Sequence, residues 1–88
     1  MVTPYKQVKN GNEIKRSFSE NVENDDLVWH RDKRDRLVTV VEGKNWFLQM
    51  DNELPILLET GKEYFIPKEK FHRVIKGNNK LKINIKEF

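Results

Sequence analysis

The stretch Arg36-Leu37-Val38-Thr39-Val40-Val41-Glu42 decides the class of fold. It is rich in β-branched residues and apolar on both faces, which suits a strand inside a closed or double-layered sheet. Reading outward, Gly43-Lys44-Asn45 turns the chain, and Trp46, Leu48 and Met50 alternate with Phe47 and Gln49 before the next turn at Asp51-Asn52-Glu53. Pro55 to Glu59 and Glu63 to Ile66 flank a Thr60-Gly61-Lys62 turn, and Pro67 ends the second of them because proline has no N–H to give the ladder. Phe71 to Lys76 extends again, Gly77-Asn78-Asn79 turns, and Leu81, Ile83 and Ile85 alternate with Lys82, Asn84 and Lys86. Towards the start, Asn10-Gly11 signals a hairpin between Pro4-to-Lys9 and Glu13-to-Phe18. Helical spacing is confined to Ile14, Phe18 and Val22. Short strands separated by turns at intervals of about 8–12 residues predict an all-β sandwich or barrel.

Eighty-eight residues predict one domain, with residues 1–20 as a hairpin arm and 29–88 as the barrel core. Seventeen basic against fourteen acidic residues leave a net charge of +3, a mixed surface and not a polyanion-binding one. With no cysteine there is no disulfide, thiolate metal site or cysteine nucleophile, which fits a reducing, cytoplasmic setting. No stretch approaches the ~20 apolar residues that span a bilayer. Ser17 and Ser19, the only serines, lack a glycine-flanked elbow, and no glycine-rich phosphate loop occurs.

The chemistry concentrates on two segments. His30 and Asp32 are two apart, so on extended backbone both leave one face and can converge on one ion. His72 arrives from a strand far along the chain. Two imidazoles and one carboxylate form the facial triad that suits a non-haem ferrous ion, and nickel, manganese or zinc would also accept such donors. Strand parity puts Arg36 on the inward face with Val38 and Val40. Two schemes remain open from the residues. In one, the triad holds a divalent ion while Arg36 grips a small anionic ligand through its planar fork. In the other, Asp32 and Arg36 form an ion pair at the barrel mouth, with the histidines hydrogen-bonded nearby and no ion. Glu42 or Asp35 could serve as a ligand outside both schemes. Trp29, Trp46, Phe47, Tyr64, Phe65, Phe71 and Phe88 could stack on bases, but their positions within strands favour core packing over nucleic-acid binding.

The spacing His30-x-Asp32-x3-Arg36-x6-Gly43, followed by Gly61-x5-Pro67-x-Glu69-x2-His72-x3-Lys76, resembles the two motifs of the cupin family. The resemblance covers Trp29 to Lys76. It implies a double-stranded β-helix, a jelly-roll barrel, with the site inside it. It makes His30, Asp32 and His72 metal ligands, Asp32 standing where the family has a second histidine. Arg36 occupies the family's glutamate position and Lys76 its asparagine. Glu69 replaces the second motif's middle glycine, which implies an ordinary turn conformation there. If the protein is an enzyme, the resemblance points to a metal-dependent dioxygenase, isomerase or lyase; the alternative is a metal-free module for a small polar ligand, such as a sugar, or for a partner chain. Small cupins also occur in phage genomes. A domain this small with open strand edges is expected to form a homodimer.

Overall fold

The computed structural model describes residues 4–88. Eight strands run as β1 (Tyr5–Asn10), β2 (Glu13–Phe18), β3 (Arg36–Lys44), β4 (Phe47–Met50), β5 (Ile56–Leu57), β6 (Glu63–Ile66), β7 (His72–Ile75) and β8 (Asn78–Glu87). The sole helical element among the described residues is a 3-10 turn at Asn24–Asp26. The strands form two sheets, one in the order β1-β2-β8-β3-β6 and one in the order β5-β4-β7. Every pairing is antiparallel. This is the all-β barrel expected.

Register explains the core. Ile14, Phe18, Val38, Val40, Leu81, Ile83 and Ile85 are buried on one face of the five-stranded sheet, while Trp46, Leu48 and Met50 are buried at the three-stranded one. The Phe18 and Trp46 rings bridge the layers at 5.9 Å. Ile14 and Phe18 owe their spacing of four to strand parity and not to a helix, because any even spacing keeps one face of a strand. The hairpin connecting β1 and β2 turns one residue later than its Asn-Gly signal. Asn10 pairs with Glu13, leaving Gly11 at φ +64° as the first central residue, the position where a primed turn needs glycine.

Two expectations are overturned. Trp29, Phe65, Phe71 and Phe88 are 42–59% exposed and do not pack in the core. For Phe65 the reason is parity, since its neighbours Tyr64 and Ile66 pair across to Val38 and Arg36 and take the inward face. Glu69 has φ +63°, so this position keeps the left-handed conformation that glycine normally serves.

Candidate metal centre

His72 heads β7, opposite Met50 of β4, on the inner face of the three-stranded sheet. The segment carrying His30 joins that sheet through a single bridge: each histidine's N–H donates to the other's carbonyl at 2.9 Å. Two residues paired this way send their side chains out on the same face. The imidazoles therefore meet, with ring centroids 4.3 Å apart. Asp32 follows His30 by one strand repeat, and its carbonyl accepts from the Glu69 N–H at 2.7 Å. Asp35 Oδ1 accepts from the Lys68 N–H at 2.7 Å. These two bonds lock the loop after His30 to the loop before His72, so segments at least 33 positions apart form one rim.

One nitrogen of each ring is already committed. His30 Nδ1 lies 3.2 Å from the Val28 carbonyl, and His72 Nδ1 lies 2.8 Å from the Lys70 carbonyl. A carbonyl oxygen only accepts, so each Nδ1 carries the proton and a neutral ring keeps its lone pair on Nε2. This is the arrangement by which proteins orient metal-binding histidines. His72 Nε2 lies 3.3 Å from Asp32 Oδ2, and that oxygen is buried without a hydrogen-bond partner. A lone pair facing a carboxylate oxygen repels it unless a proton or a cation stands between them. One donor atom from each of His30, Asp32 and His72 lies within 4.8 Å of the others. Neighbouring donors around one ion stand about 3–3.5 Å apart at the usual metal–ligand lengths, so side-chain rotation that draws the three inward closes them on a common point. The donor set fits a divalent transition metal.

Electrostatics favour the ligand forms. Burial pushes the Asp32 carboxyl up, but the neighbouring His72 ring and the fixed charge of Arg36 outweigh it and hold the group below its ordinary value. Burial lowers His30; its bond to the Val28 carbonyl opposes this, the neighbouring His72 reinforces it, and the net shift is downward, towards the neutral ring that a metal ligand needs.

Arg36 faces inward as parity requires, and lines the cavity, but its nitrogens are engaged. Nη1 lies 3.3 Å from Asp32 Oδ1, while Nε and Nη2 donate to Glu87 Oε2 at 3.1 and 2.8 Å. Glu87 also pairs with Lys9 at 3.3 Å. Its part is invisible in local spacing because 51 residues separate it from Arg36, although it extends the inward series Leu81, Ile83 and Ile85 by one more repeat. A second missed residue is Arg16, placed inward between Ile14 and Phe18 on β2. Asp35 and Glu42 stay out of the donor cluster: Asp35 serves the Lys68 N–H, and Glu42 is exposed on β3 opposite Lys82.

An apolar cavity of about 200 Å³ opens between the sheets beside these groups. His30, His72, Arg36 and Arg16 stand in a wall made otherwise mainly of aliphatic side chains, among them Val38, Leu48, Ile83 and Ile85.

No family model matches the sequence, and no curated protein matches it. The structure has clear neighbours. An RmlC-like cupin from Shewanella frigidimarina superposes with a TM-score of 0.71 at 17% identity, covering 94% of this chain and 73% of that one. The fold is that of the cupins. The DMSP lyase DddQ from Ruegeria pomeroyi gives 0.71 at 12% identity over 86% of this chain and 37% of its own. An Fe(II) form of HppE gives 0.70 at 20% identity over 96% and 50%. This cupin barrel thus spans half or less of the length of those two enzymes. At such identities the likeness carries the fold alone. No helix among the described residues is long and apolar enough to cross a membrane.

Proposed function

We propose that the barrel holds one divalent transition metal on His30 Nε2, His72 Nε2 and Asp32, and presents it to a small molecule in the adjoining cavity. One observation carries this reading: a buried, partnerless carboxylate oxygen faces an imidazole nitrogen whose ring is already oriented by its other nitrogen. When bound, such an ion supplies Lewis acidity and open coordination positions. The remaining work belongs to the chain. The Val28 and Lys70 carbonyls fix the two rings, Arg36 fixes the Asp32 carboxylate, and Glu87 offsets the Arg36 charge that would otherwise repel a cation. The aliphatic wall gives the cavity side of the site a mainly apolar surface.

Elemental analysis of untagged protein, reconstituted with ferrous, nickel, manganese or zinc salts, tests the proposal. One ion per chain, lost in His72→Ala, is expected. No ion with any of the four contradicts it and favours the second reading, a metal-free binding module. That reading draws on the Arg36–Asp32 pair, which already gives the carboxylate a cation.

We further infer a homodimer assembled through the β1 edge, where the strand is largely exposed and Val8 is 70% accessible. Light scattering that returns the monomer mass at micromolar concentration contradicts it.

A further inference from the structure

Arg16 differs from Arg36, the other arginine that lines the cavity. Its Nε and Nη2 both donate to Gln7 Oε1, at 3.0 and 2.8 Å, across the β1–β2 register. Its guanidinium carbon stacks 3.9 Å from the centroid of the Tyr5 ring. Both contacts orient the fork and neither neutralises it. Among the described residues Arg16 makes no ion pair, whereas Arg36 on the same sheet is held by two carboxylates. Gln7 occupies the Nε side, and the Nη1/Nη2 edge has no acceptor among the described residues. A half-buried guanidinium without a counter-ion beside an apolar wall leaves its charge open to an anion that enters the cavity. Burial works against its charged form.

We propose that Arg16 is the anchor for the carboxylate of a small acid with an apolar body, bound in the 200 Å³ cavity with its far end towards the His30–Asp32–His72 site. The chemistry is that of a bidentate guanidinium–carboxylate pair on a pre-oriented edge. The cavity has room for on the order of ten non-hydrogen atoms, which suits a short aliphatic chain lying along Val38, Leu48 and Ile83. Lysine would supply the charge without the fork. The assignment rests on the cavity being the ligand site proposed above, but not on the metal.

The test uses chelator-treated full-length protein, titrated with pentanoate and with its uncharged counterpart pentanamide, followed by NMR shifts of cavity methyl groups and the Arg16 Nε–H. The expected result is saturable pentanoate binding, pentanamide binding weaker by about tenfold or more, and a similar loss for pentanoate in Arg16→Gln. Arg16→Gln should still take up metal as the wild type does, so the two readings fail separately. Arg16→Lys serves if Arg16→Gln does not fold, and should weaken pentanoate several-fold. Absence of pentanoate binding, equal binding of the amide, or unchanged pentanoate affinity in the variant that folds would each overturn the assignment. Loss of metal in His72→Ala together with unchanged pentanoate affinity in the Arg16 variant would leave the metal centre standing and remove the anchor.

Discussion

Arg16 and Arg36 are two inward arginines on one sheet, and they have opposite surroundings. Arg36 sits between Asp32 and Glu87 with all three side chains 11–13% exposed. Arg16 is oriented by a neutral amide and an aromatic face and has no acid of its own. Strand parity brought both inside; the counter-ions decide what each is free to do. A paired guanidinium acts as structure, holding the Asp32 carboxylate in place, and an unpaired one remains available to an anion from outside.

Removing Arg36 should have the largest effect of the four variants that probe this contrast. Arg36→Ala leaves Asp32 without its arginine and Glu87 with Lys9 alone, both nearly buried, and should cost about 3 kcal/mol in urea unfolding. A loss below about 1 kcal/mol would mean the pair behaves as a surface salt bridge, and the contrast would dissolve.

Glu87→Gln sharpens the same point through pH. Arg36 leads the effects that hold the Glu87 carboxyl below its ordinary 4.5. A depressed folded-state pKa contributes stability that is complete above the unfolded value and is lost as pH falls through the folded one. The melting-temperature gap between wild type and Glu87→Gln should therefore be full near neutrality and shrink as the pH drops below 4.5. A gap independent of pH would assign the loss to packing instead of charge.

The third variant addresses the loop that holds Asp32 on the Arg36 side. Glu69 keeps a positive φ while donating its N–H to the Asp32 carbonyl, and its exposed pair with Arg31 at 3.3 Å contributes little. Glu69→Gly should stabilise the protein by about 0.5–1 kcal/mol, measured by thermal melting, with metal uptake unchanged. Destabilisation would show that the Arg31 contact outweighs the backbone strain.

The smallest expected effect on folding falls on Arg16. Arg16→Gln should change stability by no more than about 0.5 kcal/mol, because no buried acid is left unpaired. A loss comparable to that of Arg36→Ala would erase the distinction between the two arginines.

The contrast also shows what a one-dimensional reading captures. Alternation was enough for the barrel, for the burial of Leu81, Ile83 and Ile85, and for the inward aim of Arg36. Spacing in two motifs was enough to pick out His30, Asp32 and His72, which the fold brings within one donor cluster. Partner choice was not legible, because Glu87 reaches Arg36 through the β3–β8 register and Gln7 reaches Arg16 through the β1–β2 register. Neither register can be read from a composition window. Arg16 itself went unread because the alternation flanking the Asn10-Gly11 turn is weak, so the hairpin could be placed without fixing which of its residues face inward. Glu69 went unread for a different reason: side-chain identity suggests a backbone conformation but does not impose it when two hydrogen-bonded loops hold the chain in place.

The central claim is geometric, and nitrogen NMR of the two imidazoles tests it most directly. Titrating zinc into isotope-labelled, chelator-treated protein should shift the Nε2 resonances of His30 and His72 together, saturating at one ion per chain. Both Nδ1 protons should remain on the Val28 and Lys70 carbonyls. Two Nε2 resonances that stay in place through excess zinc, or one that moves without the other, would contradict a shared metal centre.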